Sequence, residues 1–199
     1  SQWKELGKDM PFALCLGVDP AITMVAGYPL PTGMNEGEML GAWYGEPVEV
    51  VKCETTDLLV PASTEIVIEG FASVDTLIQE GPMGEYGGYV WAGRHKQVPC
   101  FRVTAMTCRN HPIMPLCVAG VPTEENHTNW GVNIAAAIRH ALSKTDLPVK
   151  ECYIPMECAA HWVVVTVDRN RRTQDDDQLA LEIGKAVFAS RGGSYIPKV

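Results

Sequence analysis

The chain has 199 residues, of which 46% are hydrophobic, so it can bury a substantial core and fits a single globular domain. Its formal net charge of −8 and its isoelectric point of about 5.1 exclude the basic surface that nonspecific nucleic-acid binding requires. We therefore expect no nucleic-acid partner.

The N-terminal residues and the cysteines indicate a soluble, cytoplasmic protein. The stretch SQWKELGKDM lacks a signal-peptide pattern, and no apolar run approaches the roughly 18 residues that a membrane span needs, so we expect no membrane partner. The seven cysteines include no CxxC pair, which favours reduced, buried thiols over a zinc or redox site. They are Cys15, Cys53, Cys100, Cys108, Cys117, Cys152 and Cys158.

Short β-branched or aromatic runs bounded by turn-forming residues predict seven strands. In chain order these are residues 12–17, 48–53, 65–72, 89–93, 100–108, 113–120 and 161–168. Apolar residues at helical spacing predict helices at 129–145 and 176–193, and a third is predicted at 35–45.

The order of these elements favours the α+β class. Residues 1–120 are mainly strands and 121–199 combine helices with strands, which predicts a β-rich, split-barrel-like domain with peripheral helices. The final residues, YIPKV, resemble the start of another strand, so we expect the chain to be a fragment of a longer protein.

The loop QEGPMGEYGGY carries Glu80 and Glu85 on either side of a Gly-Pro-Met-Gly turn. Such a turn can fold two side chains toward one another. In a site shielded from water, repulsion and desolvation would hold one carboxyl of the pair neutral, which prepares a general acid. The alternative is a solvated turn with two unrelated acids.

The stretch EIVIEGFASVDTLIQEGPMGEYGGYV (65–90) resembles the UbiD-type reversible decarboxylases, in which a strand leads into a loop that supplies the catalytic acids. GEPVEVVKCETTDLLVPASTEIVIEG (45–70), PTEENHTNWG (122–131) and YIPKV (195–199) are similar to other segments of that family. These stretches cover most of the chain in the order that the family has.

The resemblance implies nonoxidative decarboxylation of an aromatic, heteroaromatic or α,β-unsaturated carboxylic acid. The implied cofactors are prenylated FMN, Mn²⁺ or Mg²⁺, and K⁺. Glu85 matches the family's proton donor, which must arrive protonated. Glu80 matches the other carboxylate of the catalytic network, which also includes an arginine.

Glu36, in the stretch GMNEGEM, falls at the position of the family's metal-ligating glutamate, which also lies near the cofactor phosphate. A carboxylate oxygen suits Mn²⁺ or Mg²⁺ bridging to phosphate. Without the family spacing, Glu36 reads as a surface acid in the first turn of a helix.

Further positions match the family's cofactor contacts. The family's short flavin-lining loop, where small residues let the backbone approach the ring, is matched by Ala26, Gly27, Tyr28 and Pro29. Lys198 matches a lysine that reaches the cofactor.

The substrate pocket is predicted from two aromatic residues. Trp130 matches a pocket position that often holds an aliphatic residue, and Tyr86 follows the proton donor. Two large aromatics would narrow the pocket and favour a flat, compact aromatic or heteroaromatic acid. Taken alone, Trp130 reads as a core residue.

The chain lacks the family's N-terminal motifs, which supply an asparagine and a histidine to the metal and the arginine of the catalytic network. His95 and His127 do not have the matching spacing, and Arg94, Arg102 and Arg109 are expected to be structural or exposed. We expect the parent protein to be a homo-oligomeric decarboxylase, and a complementing chain is a further expected partner.

Two other interpretations remain open from the sequence. The chain could be an excised domain without catalysis until its missing half is supplied, or a flavin-reductase-like barrel that binds ordinary FMN. The second interpretation gives Glu80 and Glu85 no evident task.

Overall fold

Strands and helices divide into two units in the computed structural model, which describes residues 2–82, 84–89, 96–116 and 123–199. The first unit contains described residues 2–23, 35–82 and 96–116, and the second contains 24–34, 84–89 and 123–199. Within those ranges no helix combines the length and the apolar character that crossing a membrane demands.

The first unit is built mainly from antiparallel strands. These are β1 (Met10–Leu16), β2 (Val50–Lys52), β3 (Leu59–Pro61), β4 (Ile66–Glu80) and β5 (Lys96–Cys108). They form a three-stranded sheet in the order β1-β4-β5 and a separate β2-β3 ladder. The helices α1 (Gln2–Glu5) and α3 (Glu36–Tyr44) belong to this unit, and α2 (Pro20–Ala26) begins in it and ends in the second unit.

The central strand, β4, is longer than the partner on one of its sides. β1 pairs with residues 66–72 only, whereas β5 accompanies β4 as far as Glu80, with register shifts at Glu69/Gly70 and at Ala72/Leu77. At the first shift the strands approach so closely that a Cβ atom on Gly70 would overlap the carbonyl oxygen of Arg102. Only glycine fits there without moving the backbone.

At the second register shift, backbone amides of β4 donate hydrogen bonds to side chains. The amide of Val74 donates to Asp9 Oδ1 at 3.2 Å, and those of Asp75 and Thr76 donate to Ser73 Oγ at 3.3 and 3.0 Å. These bonds satisfy backbone donors where the ladder is interrupted.

The second unit packs two helices on a two-stranded antiparallel sheet. Its regular elements are α4 (Gly131–Leu142), β6 (Val149–Tyr153), β7 (Val164–Val167) and α5 (Asp176–Ala189), and a π-helical turn, Asn126–Trp130, leads into α4. Periodic apolar residues bury one face of each helix, and the core contains Ile134, Ile138, Leu142, Val149, Leu179, Ile183 and Val187. Asp175 caps α5 by accepting a hydrogen bond from the Gln178 amide at 2.9 Å.

The predicted α+β class is confirmed. The strands predicted at 12–17, 48–53, 65–72, 100–108 and 161–168 correspond to β1, β2, β4, β5 and β7. The described strands form three small antiparallel sheets that do not close into a barrel.

All three predicted helices are present, while one predicted strand is partly wrong. Residues 113–116 form no strand, because the Ile113 amide donates to Glu65 Oε2 at 3.1 Å and Pro112 and Pro115 have no amide hydrogen. The rest of that predicted strand, 117–120, and residues 90–93 of another lie outside the described ranges.

The cysteines depart in part from the expected burial. Six of them are described, and all six are free thiols. Cys53 is buried, but Cys108 is exposed. Burial raises the pKa of the Cys15 and Cys152 thiols, so both remain protonated at neutral pH.

Candidate active site

Glu85 lies at the start of a tight turn in the second unit. Its amide donates to the carbonyl oxygen of Tyr89 at 2.8 Å, and its carbonyl accepts from the Gly88 amide at 3.0 Å. Gly88 has a φ of 83°, which glycine adopts without strain. The turn fixes its own backbone and leaves the side chain of Glu85 exposed.

The next residue, Tyr86, is the centre of an aromatic group. Its ring stacks on His161, with centroids 5.7 Å apart and planes 13° apart, and meets Trp130 edge-on at 5.6 Å. The ring centroid of His127 lies 6.2 Å from that of Tyr86. Tyr195 meets Trp130 edge-on, with ring centroids 5.7 Å apart. We call these five residues the Tyr86 cluster. The two residues predicted to narrow the pocket, Tyr86 and Trp130, are therefore in direct contact.

His127 holds the backbone of Tyr86 from a buried position. The histidine is only 2% exposed. Its Nδ1 accepts from the Glu124 amide at 3.0 Å, which leaves the proton on Nε2, and Nε2 donates to the Tyr86 carbonyl at 3.0 Å. Both ring nitrogens are thus engaged with the backbone.

The predicted flavin-lining residues follow α2 directly. Asn133 of α4, only 5% exposed, donates from Nδ2 to the Met24 carbonyl at 2.8 Å. This bond ties the end of α2 to α4, just before Ala26. Ala26 and Gly27 are exposed, whereas Pro29 is buried, so small residues face outward where the sequence predicts a planar ring.

Glu36 begins α3 in the first unit. Asn35 caps this helix, because its Oδ1 accepts from the Gly37 amide at 2.7 Å, and the Glu36 side chain is exposed. No group of three or more His, Cys, Asp or Glu side chains that could hold a metal occurs in the part of the chain that the structure describes. Glu36 can offer one oxygen ligand, and a complete metal centre would need others.

Two further predicted residues lie in different units. Glu80 ends β4 opposite Lys96 in the ladder, with its side chain exposed in the first unit. Lys198 belongs to the second unit, where its Nζ lies 4.1 Å from the centroid of the Trp162 ring. Glu80 lies in the first unit and Glu85 in the second, so the pairing of the two carboxylates stays a prediction.

Sequence reasoning missed a buried carboxylate, Glu69, in the first unit. It is only 1% exposed and accepts four hydrogen bonds, from the amides of Glu54, Thr55 and Thr56 and from Thr55 Oγ1, at 2.8 to 3.0 Å. Burial alone raises the pKa of Glu69, but these bonds outweigh burial and hold the pKa below its ordinary value. Glu69 is therefore ionised, and its carboxylate holds the backbone of the 54–56 loop in place.

Comparison with known proteins decides the family. The family model described as UbiD, 3-octaprenyl-4-hydroxybenzoate carboxy-lyase Rift-related domain, matches residues 1–122, more than half of the chain. The chain belongs to the UbiD family. The resemblance inferred from the sequence is confirmed.

Curated decarboxylases align with the chain along its length. It is 44% identical over 201 residues to pyrrole-2-carboxylic acid decarboxylase of Pseudomonas aeruginosa, an alignment that covers 100% of this chain and 40% of that protein. It is 40% identical over 202 residues to ferulic acid decarboxylase 1 of Saccharomyces cerevisiae, covering 99% of this chain and 40% of that protein. The chain thus spans 40% of the length of these relatives.

Solved structures of a UbiD-class enzyme and of a vanillic acid decarboxylase share the fold. An evolved dimeric form of HmfF from Pelotomaculum thermopropionicum, in complex with prFMN, gives a TM-score of 0.84 at 27% identity, covering 98% of this chain and 43% of that one. Vanillic acid decarboxylase of Sedimentibacter hydroxybenzoicus, in its open form, gives 0.81 at 25% identity, covering 98% and 41%.

Proposed function

We propose that the protein containing this chain is a UbiD-type carboxy-lyase that reversibly decarboxylates an aromatic or heteroaromatic acid, with Glu85 as the proton donor. The observation that carries this proposal is the position of Glu85, exposed on a backbone-bonded turn and followed directly by the Tyr86 cluster. A carboxyl group next to flat aromatic surfaces suits proton delivery to an aromatic substrate.

The cofactor in this proposal is prenylated FMN, with Mn²⁺ or Mg²⁺ and K⁺. The exposed, small residues Ala26 and Gly27 fit the close approach of a planar ring, and the Glu36 carboxylate would serve as one metal ligand. When bound, the prenylated flavin supplies an acceptor for the electron pair that remains after carbon dioxide leaves. Glu85 then delivers a proton to the carbon that lost the carboxylate.

We propose a small heteroaromatic acid as the substrate. The edge-on contact between Tyr86 and Trp130, whose ring centroids are 5.6 Å apart, supports a narrow pocket lined by both rings. The 44% identity to a pyrrole-2-carboxylic acid decarboxylase supports the same substrate class. The shape of such a pocket would match a single flat ring better than a ring with a long substituent.

Turnover of two acids by the full-length protein, loaded with prenylated FMN and Mn²⁺, tests this proposal. We expect kcat/KM for pyrrole-2-carboxylate to exceed that for cinnamate by about 10-fold or more, since filling or overfilling a pocket changes discrimination by 10- to 200-fold per small group. A preference for cinnamate would contradict the substrate class. No turnover of any aromatic acid, with ordinary flavin reduced by NADH, would favour a reductase instead.

Replacing Trp130 with isoleucine is expected to widen the pocket. Because Trp130 contacts both Tyr86 and Tyr195, the smaller side chain frees space on the Tyr86 side. We expect the ratio of kcat/KM for cinnamate to that for pyrrole-2-carboxylate to rise by about 10-fold. Trp3→Ile changes a half-buried tryptophan of α1, in the first unit, and is the matched control. An unchanged ratio in Trp130→Ile would remove Trp130 from the pocket.

A further inference from the structure

We propose that His161 is a positioning residue, which holds the turn carrying Glu85 by stacking on Tyr86. This inference rests on the proposed function, because it assigns the stack a role in delivering the Glu85 proton. His161 lies outside the segments that resemble the family, and it follows Tyr86 by 75 positions in the chain.

The imidazole of His161 approaches the turn at the Tyr86 ring and at the Gly87 backbone. The rings of His161 and Tyr86 are nearly parallel, at 13°, with centroids 5.7 Å apart, which is an offset stack. The imidazole also lies against the turn backbone, because a Cβ atom on Gly87 would come within 3.1 Å of His161 Cε1. His161 therefore stacks on Tyr86 and lies close to the backbone of Gly87.

The backbone before His161 is held in an uncommon conformation. Ala159 and Ala160 have φ angles of 50° and 59°, in the left-handed region that alanine rarely adopts, and both are buried. The His161 amide donates to the Cys158 carbonyl at 3.0 Å, and His161 Nδ1 lies 3.3 Å from the same oxygen. Strain of this kind persists where the surrounding structure fixes it, and it concentrates at functional sites.

The turn has open space beside the stack. Gly87, Tyr89, Cys158, His161 and Trp162 are among the residues that line a cavity of about 520 Å³. A turn that borders a cavity has fewer packing contacts to resist displacement. Without the imidazole, Tyr86 could therefore shift into this space.

Two histidines thus hold Tyr86 in different ways. His127 binds the Tyr86 carbonyl at 3.0 Å, and His161 stacks on the Tyr86 ring. Because Tyr86 is bonded directly to Glu85, a displacement of Tyr86 changes where the Glu85 carboxyl points. A proton donor must lie within hydrogen-bond reach of the atom that it protonates.

The test compares His161→Ala with His161→Phe in the full-length protein. Alanine removes the stack, whereas phenylalanine restores a flat ring, and the adjoining cavity has room for its larger size. We expect His161→Ala to lower kcat by about 10- to 100-fold with a smaller change in KM, because a displacement of roughly 1 Å can cost on the order of 100-fold in rate. His161→Phe should recover most of that loss.

A second measurement does not depend on activity. Hydrogen exchange followed by mass spectrometry reports on the amides of Glu85 and Gly88, which are bonded within the turn. We expect about 10-fold faster exchange in His161→Ala and near wild-type exchange in His161→Phe. His140→Ala, a change at an exposed histidine of α4, is the matched control and should alter neither measurement.

The outcomes separate this inference from the proposed function. If the wild-type protein does not decarboxylate any aromatic acid, the proposed function fails, while exchange in the turn still tests the stack. If wild-type is active but His161→Ala leaves kcat and exchange unchanged, positioning by His161 is overturned. Should His161→Ala fail to fold, Tyr86→Leu removes the same stack from the other side, and unchanged exchange in the turn would overturn the inference equally.

Discussion

Replacing Glu85 with glutamine is expected to lower kcat for decarboxylation in the full-length protein by about 100- to 10,000-fold, the usual contribution of a positioned general acid. Glutamine keeps the size of the side chain and its place on the Glu85–Tyr89 turn, but it cannot deliver a carboxyl proton. Steady-state release of carbon dioxide by the protein loaded with prenylated FMN and Mn²⁺ measures the effect.

A matched substitution separates proton delivery from a general loss of charge. Glu151→Gln changes another exposed glutamate of the second unit, on β6, and should keep kcat near that of the wild type. Glu85→Gln should also bind substrate with nearly the wild-type affinity, since the Glu85 carboxyl acts mainly in the proton transfer. Retention of most of the wild-type kcat by Glu85→Gln would mean that another group donates the proton.

Replacing Glu69 with glutamine is expected to lower the free energy of unfolding by about 3 kcal/mol, since bonds to a charged group contribute roughly 1.5–3 kcal/mol each and an unsatisfied buried donor costs about 1–3 kcal/mol. Glutamine turns one acceptor oxygen into an NH₂ group that faces the amides of the 54–56 loop. Denaturation by urea at neutral pH measures the loss. Glu54→Gln is the control, because the Glu54 side chain is exposed and only its amide binds Glu69.

The lowered pKa of Glu69 fixes how this stability difference depends on pH. The folded protein binds the Glu69 proton less readily than the unfolded chain, whose glutamate pKa is about 4.3. The stabilisation is therefore fully present above that value and is lost as the pH falls through the lower pKa of the folded state. The difference in the free energy of unfolding between wild type and Glu69→Gln should narrow below about pH 4. A gap that stays constant into acid would contradict an ionised Glu69.

Much of the first unit could be predicted from the sequence, but the length of β4 could not. The run EIVIEGFA has the β-branched residues of a strand, whereas the following SVDTLIQE is mixed and polar. Residues 77–80 stay extended because they pair with β5, a long-range contact with no local signal, whereas the amides of residues 74–76 bind side chains. β3 and β6 were missed for a related reason, since LVP ends in proline and VKECY mixes charged with apolar residues.

The candidate site was predicted only where family spacing pointed to it. Tyr86 and Trp130 were singled out, and they do meet in the structure. His161 and Tyr195 reach the same cluster from distant parts of the chain, so no short motif could indicate them. Glu69 did leave a signal, because a single acid inside the apolar run EIVIEGFA predicts a buried carboxylate with its own hydrogen-bond donors.

The side-chain bonds along β4 also bear on association between copies of the protein. Beyond Ala72, β4 pairs with β5 on one side and with no other strand among the described residues, and an unpaired strand edge is a template for pairing with another chain. Asp9 and Ser73 already occupy the amides of Val74, Asp75 and Thr76, so an incoming strand would find few donors there. The interruption that breaks the ladder thus also makes residues 74–76 a poor template for an added strand.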